Sequence, residues 1–121
     1  NLLNSLKEHY DVIFDCIDDV QAKVDLIDYS LQRKSKIIVC CGTAKKIDST
    51  QLKMGFLSET GDPLAKAVKR KLKENGKNFE KIYAVFSLEK SVDCNNKELP
   101  SLPTVPCAAG IAMVSYFVKL S

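Results

Sequence analysis

The chain has 121 residues, 45% of them apolar and 27% charged, with a formal net charge of +3. That length suits one domain, burying somewhat under ~70% of the unfolded chain's surface, and the composition excludes wholesale disorder. The mild positive charge permits a polyanionic partner without demanding one. The longest apolar run, Ala108 to Val118, is interrupted by Ser115 and falls far short of the ~20 residues that cross a bilayer.

The chain opens at Asn1 without a methionine, and its first apolar segment follows almost at once, as expected of a fragment. His9, beside Glu8, belongs to a polar lead-in and is expected in solvent. Val12, Ile13 and Phe14, flanked by Tyr10 and Ile17, form the short continuous run of a strand buried on both faces of a parallel sheet. It ends in the acids Asp15, Asp18 and Asp19. Val20, Val24, Ile27 and Leu31 then recur at helical spacing up to Arg33 and Lys34, whose charge suits a helix C-terminus.

A second buried strand is expected over Ile37 to Cys41, stopping at Gly42, so strand, helix and strand make a βαβ unit. Leu52, Met54 and Phe56 alternate with Lys53 and Gly55, the pattern of an edge strand with one buried face. Asp62-Pro63 reads as a helix start and Asn75-Gly76 as its stop. Between them Leu64, Val68 and Leu72 face inward, while Lys66, Lys69, Arg70, Lys71 and Lys73 face elsewhere. Ile82 to Phe86 reads as a further strand, and Lys90 to Thr104 as a long surface loop. From about Pro106 to Leu120 the pattern is apolar nearly all round, a helix that neighbours must bury. The tyrosines Tyr29, Tyr83 and Tyr116 and the phenylalanines fall on these apolar stripes and are expected in the core.

Five cysteines, Cys16, Cys40, Cys41, Cys94 and Cys107, make an odd count with no CxxC pair and no leader before them, which fits a reduced intracellular compartment. His9, the only histidine, neighbours none of them, so a structural zinc site is not expected.

Four local patterns, in this order, resemble the ThiF-type adenylating enzymes. The first is Phe14-Asp15-Cys16-Ile17-Asp18-Asp19-Val20, followed by Lys23 where those proteins often carry a basic residue. The second is Cys40-Cys41-Gly42-Thr43-Ala44 running into Ile47-Asp48-Ser49-Thr50-Gln51, similar to a glycine-rich turn followed by Asp-Pro-Thr, with Ser49 in place of the proline. Asp62-Pro63-Leu64-Ala65 with its basic helix is the third, and it resembles the tRNA threonylcarbamoyladenosine dehydratase branch in particular. The fourth joins Val85-Phe86-Ser87-Leu88-Glu89 to Val105-Pro106-Cys107-Ala108-Ala109-Gly110. Missing zinc-binding CxxC pairs favour that branch over the sulfur-carrier-activating relatives.

The resemblance implies a fold class: the C-terminal half of a Rossmann-like ThiF fold, α/β, with a mixed sheet, a βαβ unit, an antiparallel edge and a buried C-terminal helix. No GxGxxG loop follows an apolar strand here, so a nucleotide-binding half that cradles ATP phosphates is expected upstream, and this fragment alone is expected to be inactive. In the complete enzyme the implied chemistry is ATP-dependent adenylation of a carboxylate on tRNA, followed by cyclisation. Magnesium accepts hard oxygen ligands, and Asp18, at a strand's carboxyl end, matches the family's metal and nucleotide contact, with Asp15 supporting it and Lys23 as a catalytic cation. Strand-end aspartates also cap the following helix, the role expected of Asp19.

Cys107 is the positional candidate for a thiol that traps an acyl-adenylate, whereas its Ala, Ala and Ile neighbours point to packing. Lys45, Lys46, Lys69, Arg70, Lys71 and Lys73 are the candidate tRNA contacts, the alternative being a solvated helix face. A homodimer is expected, in the cytoplasm or in association with a mitochondrion. The competing readings are the distal half of an activating enzyme for a ubiquitin-like or sulfur-carrier protein, and a non-catalytic α/β interaction module.

Overall fold

The computed structural model describes the backbone of residues 9–41, 49–88 and 104–120, with side chains within 9–41, 50–88 and 110–120. In chain order the elements are β1 (Val12–Asp15), α1 (Val20–Arg33), β2 (Lys36–Cys41), β3 (Leu52–Phe56), α2 (Pro63–Glu74), β4 (Tyr83–Ser87) and α3 (Thr104–Leu120). The sheet order is β1-β2-β4-β3. β1, β2 and β4 run parallel, with Asp15 opposite Val39 and Cys41 opposite Phe86. β3 takes the edge place that its alternating pattern foretold, and runs antiparallel to β4, as the resemblance implies.

Local chemistry fixes where the helices begin and end. Asp19 caps α1 by accepting from the Ala22 amide at 2.8 Å. Lys34, at φ 56°, turns the chain left-handed after α1, and the Ser35 amide then returns to the Ser30 carbonyl at 3.1 Å. α2 starts on Asp62, which accepts from the Ala65 amide at 3.2 Å, with Pro63 in its first turn. It ends where Gly76 takes φ 70°, letting the Lys77 amide reach the Leu72 carbonyl at 2.9 Å.

Successive residues of β2 point to opposite faces, which divides the core in two. On one face Ile37, Val39 and Cys41 pack with Val24 and Ile27 of α1 and with Ala65, Val68 and Leu72 of α2. On the other, Ile38 and Val85 meet Met113 of α3, with Leu52, Met54, Tyr83 and Tyr116 around them. Ile27 is fully buried, so truncating it to alanine removes about 2–5 kcal/mol.

The expected burial of the final helix is met along one side only. Tyr116 donates from its hydroxyl to the Gly55 carbonyl at 3.1 Å, while Ile111, Val114 and Val118 remain exposed. One sheet face covers one flank of a helix, and α3 is apolar around its whole circumference. Two further side chains expected inside, Phe14 and Leu31, are also partly in solvent, at 41% and 38% exposure. Phe14 lies on the outermost strand and meets Phe117 of α3 ring edge to face, centroids 6.2 Å apart.

Candidate active site at the carboxyl edge of the sheet

Because β1, β2 and β4 are parallel, their carboxyl ends lie along one edge, the edge at which α/β sheets bind ligands. α1 rises from this edge directly after β1. The last turn of α2 comes near this edge. Lys71 of α2 also donates to Gln21 in the first turn of α1 at 2.7 Å.

The turn from β1 into α1 has a buried floor and an exposed lip. In the floor, the Asp15 carboxylate and Lys23 ammonium are both entirely out of solvent and 3.1 Å apart. Lys23 also donates to the Ile17 carbonyl at 2.8 Å, and the Ile17 amide donates to Asp15 Oδ1 at 2.9 Å. Both backbone polar groups of Ile17 are therefore tied to the same ion pair. The other oxygen of Asp15, Oδ2, is buried with no hydrogen-bond partner. Burial pushes the Asp15 carboxyl above its ordinary value, and the Lys23 charge and the Ile17 amide pull against that rise.

Asp18 forms the lip. It is exposed, and no hydrogen bond or ion pair engages its carboxylate among the described residues. Its backbone is held on both sides, by the anchored Ile17 before it and by the capping Asp19 after it. Lys23, expected from the sequence as a catalytic cation, and Asp15, expected to support Asp18, are both out of solvent.

The thiols divide in the same way. Cys16 is exposed at the lip, whereas burial pushes Cys40 up to about 11 and Cys41 up to about 12, which leaves both as poor nucleophiles. Lys45, Lys46 and the Cys107 side chain lie outside the described residues. On α2 the basic residues separate into two groups. Lys69 is drawn back to the Thr60 carbonyl at 2.6 Å and Lys71 to Gln21, leaving Lys66, Arg70 and Lys73 exposed.

No three histidine, cysteine, aspartate or glutamate side chains cluster as a metal cage among the described residues. Two open hollows, about 340 and 440 Å³, lie at the opposite edge, around Lys36, Ile37 and Tyr83 and around His9, Asp11 and Phe117. They line the amino ends of the strands and border none of the residues just described. His9 itself is exposed, 3.5 Å from Asp11. No helix among the described residues is long and apolar enough to cross a membrane.

Sequence reasoning missed the pairing of Lys23 with Asp15. The signal was present, since Lys23 follows Val20 by three residues and precedes Val24 and Ile27 on the inward stripe of α1, a position where lysine stays buried only with a partner.

No protein-family model matches the chain. It is 43% identical over 91 residues to tRNA threonylcarbamoyladenosine dehydratase 2 of Saccharomyces cerevisiae, a match covering 74% of this chain and 20% of the yeast protein. The structure is similar to that of E. coli TcdA, a tRNA N6-threonylcarbamoyladenosine dehydratase, in complex with AMP, with a TM-score of 0.83 and 30% identity over 91% of this chain and 48% of that one. Against TcdA in complex with ATP the TM-score is 0.86 at 29% identity, over 98% of this chain and 51% of the other. The chain thus spans about half the length of the solved relatives it matches and a smaller share of the yeast protein.

Proposed function

The chain carries a ThiF-like fold of the TcdA type, and from that premise we propose that it is the distal half of an ATP-dependent tRNA threonylcarbamoyladenosine dehydratase. One juxtaposition supports the reading above the others. Asp18 stands exposed at the carboxyl edge of a sheet whose solved relatives hold AMP and ATP. β1, the outermost strand, has no partner on its far side among the described residues. An apolar parallel strand left open is a ready template for a further strand, and the half of the fold that grips the triphosphate would join there.

In the proposed reaction the carboxylate of the modified adenosine attacks the α-phosphorus of ATP, giving an acyl-adenylate and pyrophosphate. The neighbouring carbamoyl nitrogen then attacks the acyl carbon, loses its proton and expels AMP. The ring that closes is one water lighter than the starting base. Attacker and carboxylate belong to one molecule, so positioning replaces a nucleophilic side chain, and the raised thiols of Cys40 and Cys41 are not needed.

Magnesium, when bound, supplies neutralisation of the triphosphate charge. Asp18 would hold it, because magnesium takes one or two carboxylates together with phosphate and water oxygens, and this carboxylate is exposed and, among the described residues, uncommitted. Lys66, Arg70 and Lys73 offer tRNA phosphates a free basic face on α2, with Lys45 and Lys46 assigned to the same contact. The homodimer expected from the resemblance would cover the open side of α3, and the cytoplasm is the proposed compartment.

AMP release by the longer protein that contains this chain, measured on tRNA with and without the threonylcarbamoyl group, tests the reading. AMP is expected only with the modified tRNA. Release that ignores the modification, or that instead requires the C-terminal tail of a ubiquitin-like protein, would replace it with the activating-enzyme alternative.

A further inference from the structure

We propose that Lys23 is a positioning residue: with Asp15 it clamps Ile17 from beneath and so fixes the direction in which Asp18 faces a metal-bound nucleotide. The inference deepens the reading of Asp18 and rests on it.

Three contacts carry it. A single ammonium, wholly buried, reaches both the Asp15 carboxylate at 3.1 Å and the Ile17 carbonyl at 2.8 Å. The same Asp15 oxygen accepts from the Ile17 amide at 2.9 Å. The residue immediately before Asp18 is thus held at its N–H and its C=O by one pair of charges, while Asp19 immediately after it is fixed by capping α1. Stability alone gives little reason to keep such a pair, because apolar residues of similar volume usually serve a core as well or better. Asp15 Oδ2, buried without a partner, makes this pair poorer still as a stabilising device. What the pair does and an apolar replacement does not is fix the backbone polar groups of Ile17. Losing a group that orients a metal ligand from behind typically costs about 10–100-fold in metal affinity or activity.

Lys23→Met alone leaves Asp15 as an unpaired buried carboxylate and invites unfolding. Asp15→Leu combined with Lys23→Met removes both charges together with the acceptor of the Ile17 amide, and avoids that problem. In the longer protein, binding of ATP with and without Mg2+ is measured by calorimetry for this double variant and for Asp18→Ala. The expected result is that both weaken the Mg2+-dependent part of ATP binding by about ten-fold or more and melt as cooperatively as the parent. The double variant, unlike Asp18→Ala, is also expected to speed amide exchange at Ile17.

A folded double variant that binds Mg2+ and ATP like the parent overturns the positioning role while Asp18 keeps its own. An unaffected Asp18→Ala protein overturns both. Should the double variant fail to fold, amide exchange in the unaltered protein decides: Ile17 must exchange as slowly as the β1 amides, and fast exchange there overturns the clamp.

Discussion

The floor and the lip of the β1 turn place the same residue type in opposite surroundings. Asp15 lies entirely out of solvent against Lys23, one oxygen engaged and the other stranded. Three residues on, Asp18 is exposed and, among the described residues, uncommitted. A carboxylate already held by a buried ammonium and a backbone amide has little left to offer a ligand, whereas one free at the carboxyl edge of a parallel sheet has its whole coordination capacity. On the proposed reading, two acids at one strand end divide into a structural and a functional group, and burial decides which is which.

The largest effect that would break this division is catalytic. Asp18→Ala in the longer protein is expected to reduce AMP release from modified tRNA on the order of 10²-fold, with the urea denaturation midpoint unchanged; normal turnover would remove Asp18 from the lip's assigned role. Asp15→Ala should act the other way round. It strands the buried Lys23 charge, and urea titration is expected to show a loss of about 3–5 kcal/mol of stability. A stability close to the parent's would mean that the floor is not a closed ion pair.

The tied-and-free distinction also divides α2. Reversing Arg70 and Lys73 to glutamate is expected to weaken tRNA binding and flatten its salt dependence by about one unit of slope per lost phosphate contact. Reversing Lys69 and Lys71, whose ammonium groups are already engaged within the chain, should change the salt slope less and the stability more. Equal salt slopes for the two variants would erase the distinction. The smallest effect is read by thiol alkylation at pH 8. Among the described cysteines Cys16 should label first, with Cys41, raised to about 12 and buried, protected until the protein unfolds. Equal labelling would contradict the burial of the floor.

Much of this was legible in the residues. Helix boundaries at Asp19, Asp62-Pro63 and Asn75-Gly76 follow from capping chemistry that acts within a few residues, and the parallel pair β1 and β2 follows from two continuous apolar runs around one helix. Contacts between segments distant in sequence were not legible. The insertion of β4 between β2 and β3 is one. The retreat of Lys69 to Thr60 and of Lys71 to Gln21 is another, since a lysine on a helix face looks the same in sequence whether or not an acceptor waits nearby. The apolar pattern of α3 announced burial on all sides, but the sheet covers only the flank bearing Met113 and Tyr116. Asp15 and Lys23 were picked out as functional one by one, while their contact spans a turn whose path the sequence does not specify.

The most direct test is a crystal structure of the longer protein with ATP and Mg2+. A metal at about 2.0–2.1 Å from an Asp18 oxygen, above an unbroken Asp15–Lys23 pair, is the predicted result. A metal held by other residues, with the Asp18 carboxylate turned to bulk solvent, would contradict it.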